Sequence, residues 1–405
     1  MRSVMIDLAV LIIFFLTYAF LSFQSVSKKF GRPAASTIGA TLILVSGALT
    51  LDEAFLSIDF HTIMLLLGMM IIVAYLGISG FFDFLAYKIL KFAKNGKKLL
   101  ATIIFSSGFL SALFVNDTIC VFMTPVILRI SSISKINAIP LLIALAVSAN
   151  IGSAATIVGN PQNMLIGIAS KINFVEFVIN VLPSSLAGLI IAFFIIYFLY
   201  KKNLHKEVVY EESSYYFDKN LAKKSLAVFV LVLIFFITEI YPISLSAMIG
   251  ATALFLIGGR HPKEVLDRVD WGLLLLFCNL FIVTHAFEKY YGNLILEAFK
   301  FTGSFESYLY ISMLTVVGSN LVSNVPFVML SIPAAKSIGG DIWYLLAMAS
   351  TFAGNLTIIG SVANLIVVES AARRGVVVTF SEYLKVGVPV TVLSVIAGDI
   401  LLYLL

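Results

Sequence analysis

The sequence predicts an all-α polytopic membrane protein built from two inverted-topology repeats. Three observations carry that expectation. Hydrophobic residues fill 60% of the 405 positions and charged ones only 12%. Apolar runs of about 18 residues, each enough to cross a hydrocarbon core as a helix, recur along the whole chain. The second half then returns the motifs of the first in the same order. A soluble chain of this length needs far more charge to cover its surface.

Spans are expected at residues 4–22, 34–51 and 62–78. The first is read as a span and not a cleaved signal, because Arg2 is a thin n-region and no small-residue cleavage site follows Phe23. An amphipathic stretch rich in aromatics and lysine covers 80–94. A hydrophobic pair, 99–115 and 118–130, hinges at Asn116-Asp117. The next run, 138–171, would reach about 50 Å as one straight helix, well beyond a bilayer. It contains NIGSAATIVGNPQN, so a break there is the economical reading. A span at 176–200 ends a first repeat, 1–200. A charged linker follows at 201–222, with Lys201, Lys202, Lys206, Glu207, Glu211 and Glu212.

The second repeat, 223–405, follows the same plan. Spans at 223–240, 243–259 and 271–286 precede an amphipathic stretch at 287–300. A second pair, 304–320 and 326–338, hinges at Ser323-Asn324. The over-long run 341–373 is interrupted by GNLTIIGSVAN, and the last span is 381–405. Asp59 and Asp270 each precede a third span, and Asn116 and Asn324 each sit nine residues before a proline. TIVGNPQN (156–163) and TIIGSVAN (357–364) share T-I-x-G-x-x-x-N.

Each half therefore has five crossings plus a helical hairpin that returns to its own side. Five is odd, so the second half inserts upside down. The charges agree with this parity. Of the 27 Lys and Arg, only Arg2, Lys171, Lys289, Lys300 and Lys336 fall on one face. The basic face is the cytoplasmic one. This puts the linker inside, both termini outside and the chain in the plasma membrane. It also explains the net charge of +5 without a nucleic-acid partner.

Inverted repeats with interrupted helices place a binding site near the bilayer midplane, where the breaks meet. Non-helical backbone survives at that depth only inside protein or along a cavity. A break leaves N–H groups that favour an anion and carbonyls that favour a cation. In the first half the candidate residues are Asn116, Asp117, Thr118, Asn150, Gly152, Ser153, Thr156, Gly159, Asn160 and Asn163. In the second half they are Ser323, Asn324, Gly354, Asn355, Thr357, Gly360, Ser361 and Asn364. Small polar residues also serve close helix packing in membranes, which is the competing role for any one of them.

Intramembrane charge points to function by default, and Asp117 at the hinge is the strongest case. Glu369 has Arg373 four residues on and reads as half of a helical pair. Glu239 and Asp399 lie near span ends and are expected to reach water, while Arg129 can snorkel. No Lys or Arg is left over for the site, so an anion would rest on helix ends, polar side chains and a co-bound cation. Cys120 and Cys278 lie in apolar runs, and His61, His205, His261 and His285 lack ligand spacing, so no metal centre or disulfide framework is expected. No nucleotide loop or nucleophile constellation points to an enzyme.

At these residues the chain resembles the ion transporter superfamily, which includes arsenite efflux permeases, citrate and dicarboxylate symporters and related sodium/proton antiporters. LFVNDTICVFMTP (113–125) resembles the first hairpin of the arsenite-permease branch, SANIGSAATIVGNPQN (148–163) the superfamily's broken helix, and SNVPFVML (323–330) the second hairpin. Where dicarboxylate–sodium symporters carry Ser-Asn-Thr, the tips here read Val115-Asn116-Asp117 and Ser323-Asn324-Val325. The resemblance implies a cation-coupled carrier of a small anion or oxyanion, arsenite-type, inorganic or carboxylate. Sodium at the hairpin tips or a proton would be the coupling ion, with no other cofactor. It further implies a homodimer with an elevator mechanism, 80–94 and 287–300 serving as arms. Sodium/proton antiport and an anion channel are the alternatives.

The charge bias makes the topology testable by cysteine labelling. In intact cells an impermeant thiol reagent should modify Leu405→Cys and spare Ser213→Cys. The reverse pattern sinks the orientation.

Overall fold

The computed structural model describes residues 2–22, 31–204, 206–209 and 215–405. Phe23, His205, Glu211, Glu212 and position 213, named above, lie outside the described residues. Among the described residues the chain is helical, with one isolated bridge, Asn95 to Glu207. The first half holds α1 (Arg2–Ser22), α2 (Arg32–Val45), α3 (Leu51–Ser57), α4 (Phe60–Ile78) and α5 (Phe81–Leu90). It continues with α6 (Gly96–Phe114), α7 (Asn116–Ser134), α8 (Ala138–Ser153), α9 (Pro161–Ser170) and α10 (Phe174–Tyr200). The second half holds α11 (Lys219–Thr238), α12 (Ile243–Ile257), α13 (Pro262–Leu266), α14 (Trp271–Ala298) and α15 (Phe305–Val322). It ends with α16 (Asn324–Ile338), α17 (Ile342–Ala353), α18 (Val362–Ala372) and α19 (Phe380–Leu404). Seven of these helices are long and apolar enough to cross a membrane, and the chain is a multi-pass membrane protein.

Both hinged pairs are helical hairpins with a single residue at the tip. Val115 joins α6 to α7 at φ 66, and Ser323 joins α15 to α16 at φ 77. Neither is glycine, so each carries strain of about 1–3 kcal/mol that the surrounding packing must hold. Both over-long runs are broken: α8 stops at Ser153 and α9 starts at Pro161, while α17 stops at Ala353 and α18 starts at Val362. The first partners of the breaks, α8 from Pro140 onward and the whole of α17, are buried and form the centre of the molecule. The hairpin limbs α6 and α15 pack along them, and α10 packs along α19 outside.

Two expected boundaries move. The span expected at 34–51 ends at Val45, because Gly47 turns the chain at φ 74 and Thr50 with Glu53 starts α3 through a capping box. The two amphipathic stretches also differ. Gly80, at φ 74, separates α5 from α4, and a Cβ there would collide with the Tyr216 carbonyl. No such corner interrupts the second half, where 287–298 simply continues α14 and Gly292 stays helical. The second arm is therefore not a separate element. Its Lys289 pairs with Glu53 at 2.6 Å; that bond, then the Thr50 N–H, holds the Glu53 carboxyl down at about 2.

The linker is docked where it is described. Val208 donates its N–H to Lys94 O at 3.1 Å, Asp218 to Ser79 O at 2.9 Å, and Phe217 stacks on Phe84 at 4.4 Å. All three contacts lie on or beside α5.

Gly152 packs where α8 crosses α6, and a Cβ there would run into the backbone of Gly108. Gly152→Ala should therefore push two buried helices apart at a cost of about 1–3 kcal/mol. Gly292→Ala meets only Glu288 Cγ, at 3.7 Å, and should be neutral or stabilising by up to about 1 kcal/mol. Thermal unfolding of the two variants in detergent measures the difference; equal melting would refute the close crossing.

Candidate functional site

Each break closes on itself through one asparagine. Asn163 Nδ2 donates to Ser153 O at 3.3 Å, Ala154 O at 3.0 Å and Thr156 O at 2.9 Å. Asn364 Nδ2 donates to Gly354 O at 2.7 Å and Thr357 O at 3.0 Å. These carbonyls lie at the end of one half-helix, where a helix has no partners of its own. Residues 163, 153 and 156 plus 201 are 364, 354 and 357, so the brackets match position for position. Gly159 and Gly360, also 201 apart, each press against the preceding end; a Cβ on Gly159 would collide with Ser153 O. The second half-helices start on side-chain caps, Asn160 for α9 and Ser361 for α18.

The two breaks also hold each other, and reciprocally. Asn150 of α8 donates to Asn364 Oδ1 at 2.9 Å and accepts from Ser361 Oγ at 2.9 Å. Its counterpart 201 residues on is Thr351 of α17, which donates to Asn163 Oδ1 at 3.5 Å and accepts from Asn160 Nδ2 at 3.2 Å. A two-fold relation between halves produces this i-to-j, j-to-i pattern. Asn150 further donates to Asn355 Oδ1 at 2.9 Å and accepts from Asn116 Nδ2 at 3.0 Å. Both its donors and both acceptor positions are thereby used. The first hairpin tip is tied in by Asn116 N donating to Gly159 O at 3.1 Å, and Thr156 Oγ1 donates to Ala112 O.

In front of this network lies a cavity of about 330 Å³. Six helices begin on its wall: α2 at Arg32, α7 at Asn116, α9 at Pro161, α14 after Asp270, α16 at Asn324 and α18 after Ser361. Each N-terminus presents N–H groups and the positive end of its dipole. Asp270 caps α14 through Leu273 N at 2.9 Å, as Asp59 caps α4 through Thr62 N at 3.2 Å. The hairpin helices α7 and α16, like α2, have no side-chain cap. Their first turns line a cavity that also holds one guanidinium, Arg32, and two carboxylates, Asp117 and Asp270. Half-buried Asp117 accepts no hydrogen bond among the described residues and lies within electrostatic reach of Arg32 and Asp270. A second cavity, about 350 Å³, shares Asp117, Pro161, Asp270, Leu273 and Val362 with the first.

The structure divides the expected site residues into two layers. Asn116, Asp117, Ser323, Asn324, Gly360 and Ser361 line the first cavity, and Thr118 lines the second. Asn150, Gly152, Ser153, Thr156, Gly159, Asn160, Asn163, Gly354, Asn355, Thr357 and Asn364 line neither and build the wall behind them. Within these layers, Asn324 Oδ1 and Asn355 Nδ2 are buried without partners. Arg32 corrects the expectation that no basic side chain remains for the site. The span expected at 34–51 leaves Arg32 in the loop before it, although the Arg-Pro pair marks a helix start. Thr351 was also missed, and its signal was its place 201 residues after Asn150. Glu239, Glu369 and Arg129 are exposed, and Glu369 forms no ion pair with Arg373. Asp399, expected to reach water, is fully buried, because α10, α15 and α17 pack around its helix.

Comparison with known proteins follows the same lines. The family model described as "Citrate transporter" matches residues 9–353. The silicon efflux transporter LSI3 of Oryza sativa subsp. japonica is 29% identical, over 91% of this chain and 91% of its own length. An uncharacterized transporter of Mycobacterium bovis is 30% identical over 93% of this chain and 94% of its own. The putative transporter arsB of Dictyostelium discoideum is 26% identical over 91% and 86%. Among solved structures, the YdaH transporter of Alcanivorax borkumensis superposes with a TM-score of 0.62 over 89% of this chain and 88% of its own, at 14% identity. That likeness is one of fold.

The brackets separate wall from ligand. Asn163→Ala removes three hydrogen bonds and strands Ala154 O, and Asn364→Ala removes two and strands Gly354 O, each stranded carbonyl costing about 1–3 kcal/mol when buried. Ser153 O, Thr156 O and Thr357 O keep Asn160 Nδ2, Gly159 N and Gly360 N as donors. Both variants should melt lower than the wild type, Asn163→Ala the more so. Unchanged melting with lost transport would return either residue to the ligand set.

Proposed function

The chain belongs to the citrate transporter family, a family of membrane transporters, and on that basis we propose that it is a secondary-active carrier of a small anion or oxyanion, coupled to a cation. The observation that carries the anion is the meeting of six helix N-termini at one cavity, three of them without a side-chain cap. Fixed N–H dipoles and one guanidinium suit a compact polar acid, and the cavity volume suits a small one. The relatives' names, which mention silicon efflux, arsB and citrate, agree in pointing to small acids. The coupling cation is assigned to Asp117. Its carboxylate is free of protein donors, sits between both cavities, and has only the uncharged Val325 at the matching place in the second hairpin.

The two halves act as inverted-topology repeats, supported by the matching brackets and the reciprocal contacts of Asn150 and Thr351. Exposed Arg268 and Asp270 stand at the cavity walls and belong to the basic, cytoplasmic face. The conformation described is thus open to the inside. Alternating access carries the hairpins and broken helices as one unit against the remaining helices, in a homodimer in the plasma membrane. A second reading, sodium/proton antiport, is favoured by one observation, the two carboxylates Asp117 and Asp270 on the cavity wall.

Proteoliposomes with labelled arsenite, silicic acid and citrate, under imposed sodium or proton gradients, test this. Counterflow of one label without any gradient establishes a carrier of that acid. Failure of all three, with cation exchange retained, supports the antiporter. Arg32→Gln should raise the KM of the transported acid at least about tenfold, the effect of losing one charge-assisted hydrogen bond. Asp117→Asn should keep counterflow and lose gradient-driven accumulation. Full accumulation in that variant would place the coupling ion elsewhere.

A further inference from the structure

Asp399 belongs to neither cavity. It lies on the last turns of α19, and its side chain has no solvent-accessible surface. Ser312 of α15 donates to Oδ1 at 2.6 Å, and Oδ2 has no partner. The backbone beside it is closely packed: Met348 of α17 fills the space a Cβ on Gly398 would take, and Ser184 of α10 donates to Gly398 O at 3.4 Å.

No cation balances this carboxyl among the described residues. The titratable groups at this end of the packed helices are engaged elsewhere. Tyr308 of α15 bonds to Asp341, and Tyr344 of α17 bonds to Glu176 of α10. Tyr403, one turn further along α19, is exposed and meets the Tyr308 ring at 5.5 Å. A carboxylate ion held in such a place by a single hydroxyl costs several kcal/mol. A proton on Oδ2 removes that cost.

The surroundings also connect Asp399 to the centre. Ser312, Thr315 and Ser319 share one face of α15 by their spacing, whereas Thr391 and Ser394 share a face of α19 on which Ser394 packs against Gly188 of α10. All five are buried, and the hydroxyls of Thr315, Ser319 and Thr391 have no partner. The next residue of α15, Asn320, donates to Ala353 O at 3.0 Å and accepts from Thr357 Oγ1 at 3.5 Å at the second break. Gly387, about 18 Å back along α19 from Asp399, packs on Asn355 O at the same break. A polar seam thus leads from the carboxyl to the wall of the central site.

We propose that Asp399 is a second ion site of this protein, a carboxyl whose Oδ2 takes a proton from water and returns it, with the hydroxyl seam of α15 as its route. The competing role is an interhelical tie, in which the Ser312 bond merely glues α15 to α19.

Infrared difference spectra of the full-length protein in lipid, recorded between acid and alkaline pH, distinguish the two without any substrate. The proposal therefore stands or falls separately from the anion-carrier reading. The wild type should show the C=O stretch of a protonated carboxyl that disappears with rising pH. Asp399→Asn, which can still accept from Ser312, should lack that band, and Asp117→Asn should keep it. Ser312→Ala should move the pH midpoint of the band, which supplies a reading should Asp399→Asn fail to fold. A spectrum unchanged in Asp399→Asn, or a midpoint unmoved in Ser312→Ala, overturns the proposal.

Discussion

Carbonyls set free by a helix break deep in a membrane protein must find donors inside the chain, because hydrocarbon offers none. Asn163 and Asn364 answer that constraint, and the rest of the structure depends on the answer. With the ends of α8 and α17 satisfied, the chain can turn within seven and eight residues and start α9 and α18 in fixed directions. The same two asparagines accept from Asn150 and Thr351 of the opposite half. One side chain therefore closes its own break and locks it to the other. The two halves cannot be ordered independently.

What the wall then presents is a set of fixed dipoles. Six helix starts share a cavity, and three of them, α2 and the hairpin helices α7 and α16, lack a side-chain cap. Leaving α7 and α16 without side-chain caps has a cost, since Thr118 N in α7 and Asn324 N and Val325 N in α16 have no partner among the described residues, while Asn116 N and Asp117 N are met by Gly159 O and Asn116 Oδ1. The left-handed Val115 and Ser323 at the tips add strain. Both costs fall at the same two places, where a ligand would offset them. The mixed charge of the cavity fits that division: Arg32 complements an anion, while Asp117 and Asp270 can hold a cation beside it.

Much of this was legible in the sequence, for identifiable reasons. The spans showed because hydrocarbon demands length and apolarity, and the breaks showed because 138–171 and 341–373 are too long for one crossing. Duplication showed in the paired T-I-x-G-x-x-x-N motifs, whose asparagines prove to be the brackets. The roles inside the polar clusters were not legible. A broken segment has no helical period, so spacing cannot say that Asn163 faces backbone while Asn116 faces the cavity. Arg32 was hidden because a charge at a helix start looks like a loop charge until its helix is placed. Asp399 was misjudged because its burial depends on which helices cover the end of α19, and that is a tertiary fact. The stretch 287–300 has the composition of an arm but no residue that forces a corner, so the helix runs on.

The central claim is that one small anion binds where the hairpin N-termini meet. Cryo-electron microscopy of the protein in lipid nanodiscs, with and without the acid it is found to exchange, tests this most directly. Added density touching the first turns of both α7 and α16, within reach of Arg32, is the predicted result. Density elsewhere, with the N-termini of α7 and α16 unchanged and empty, would contradict it.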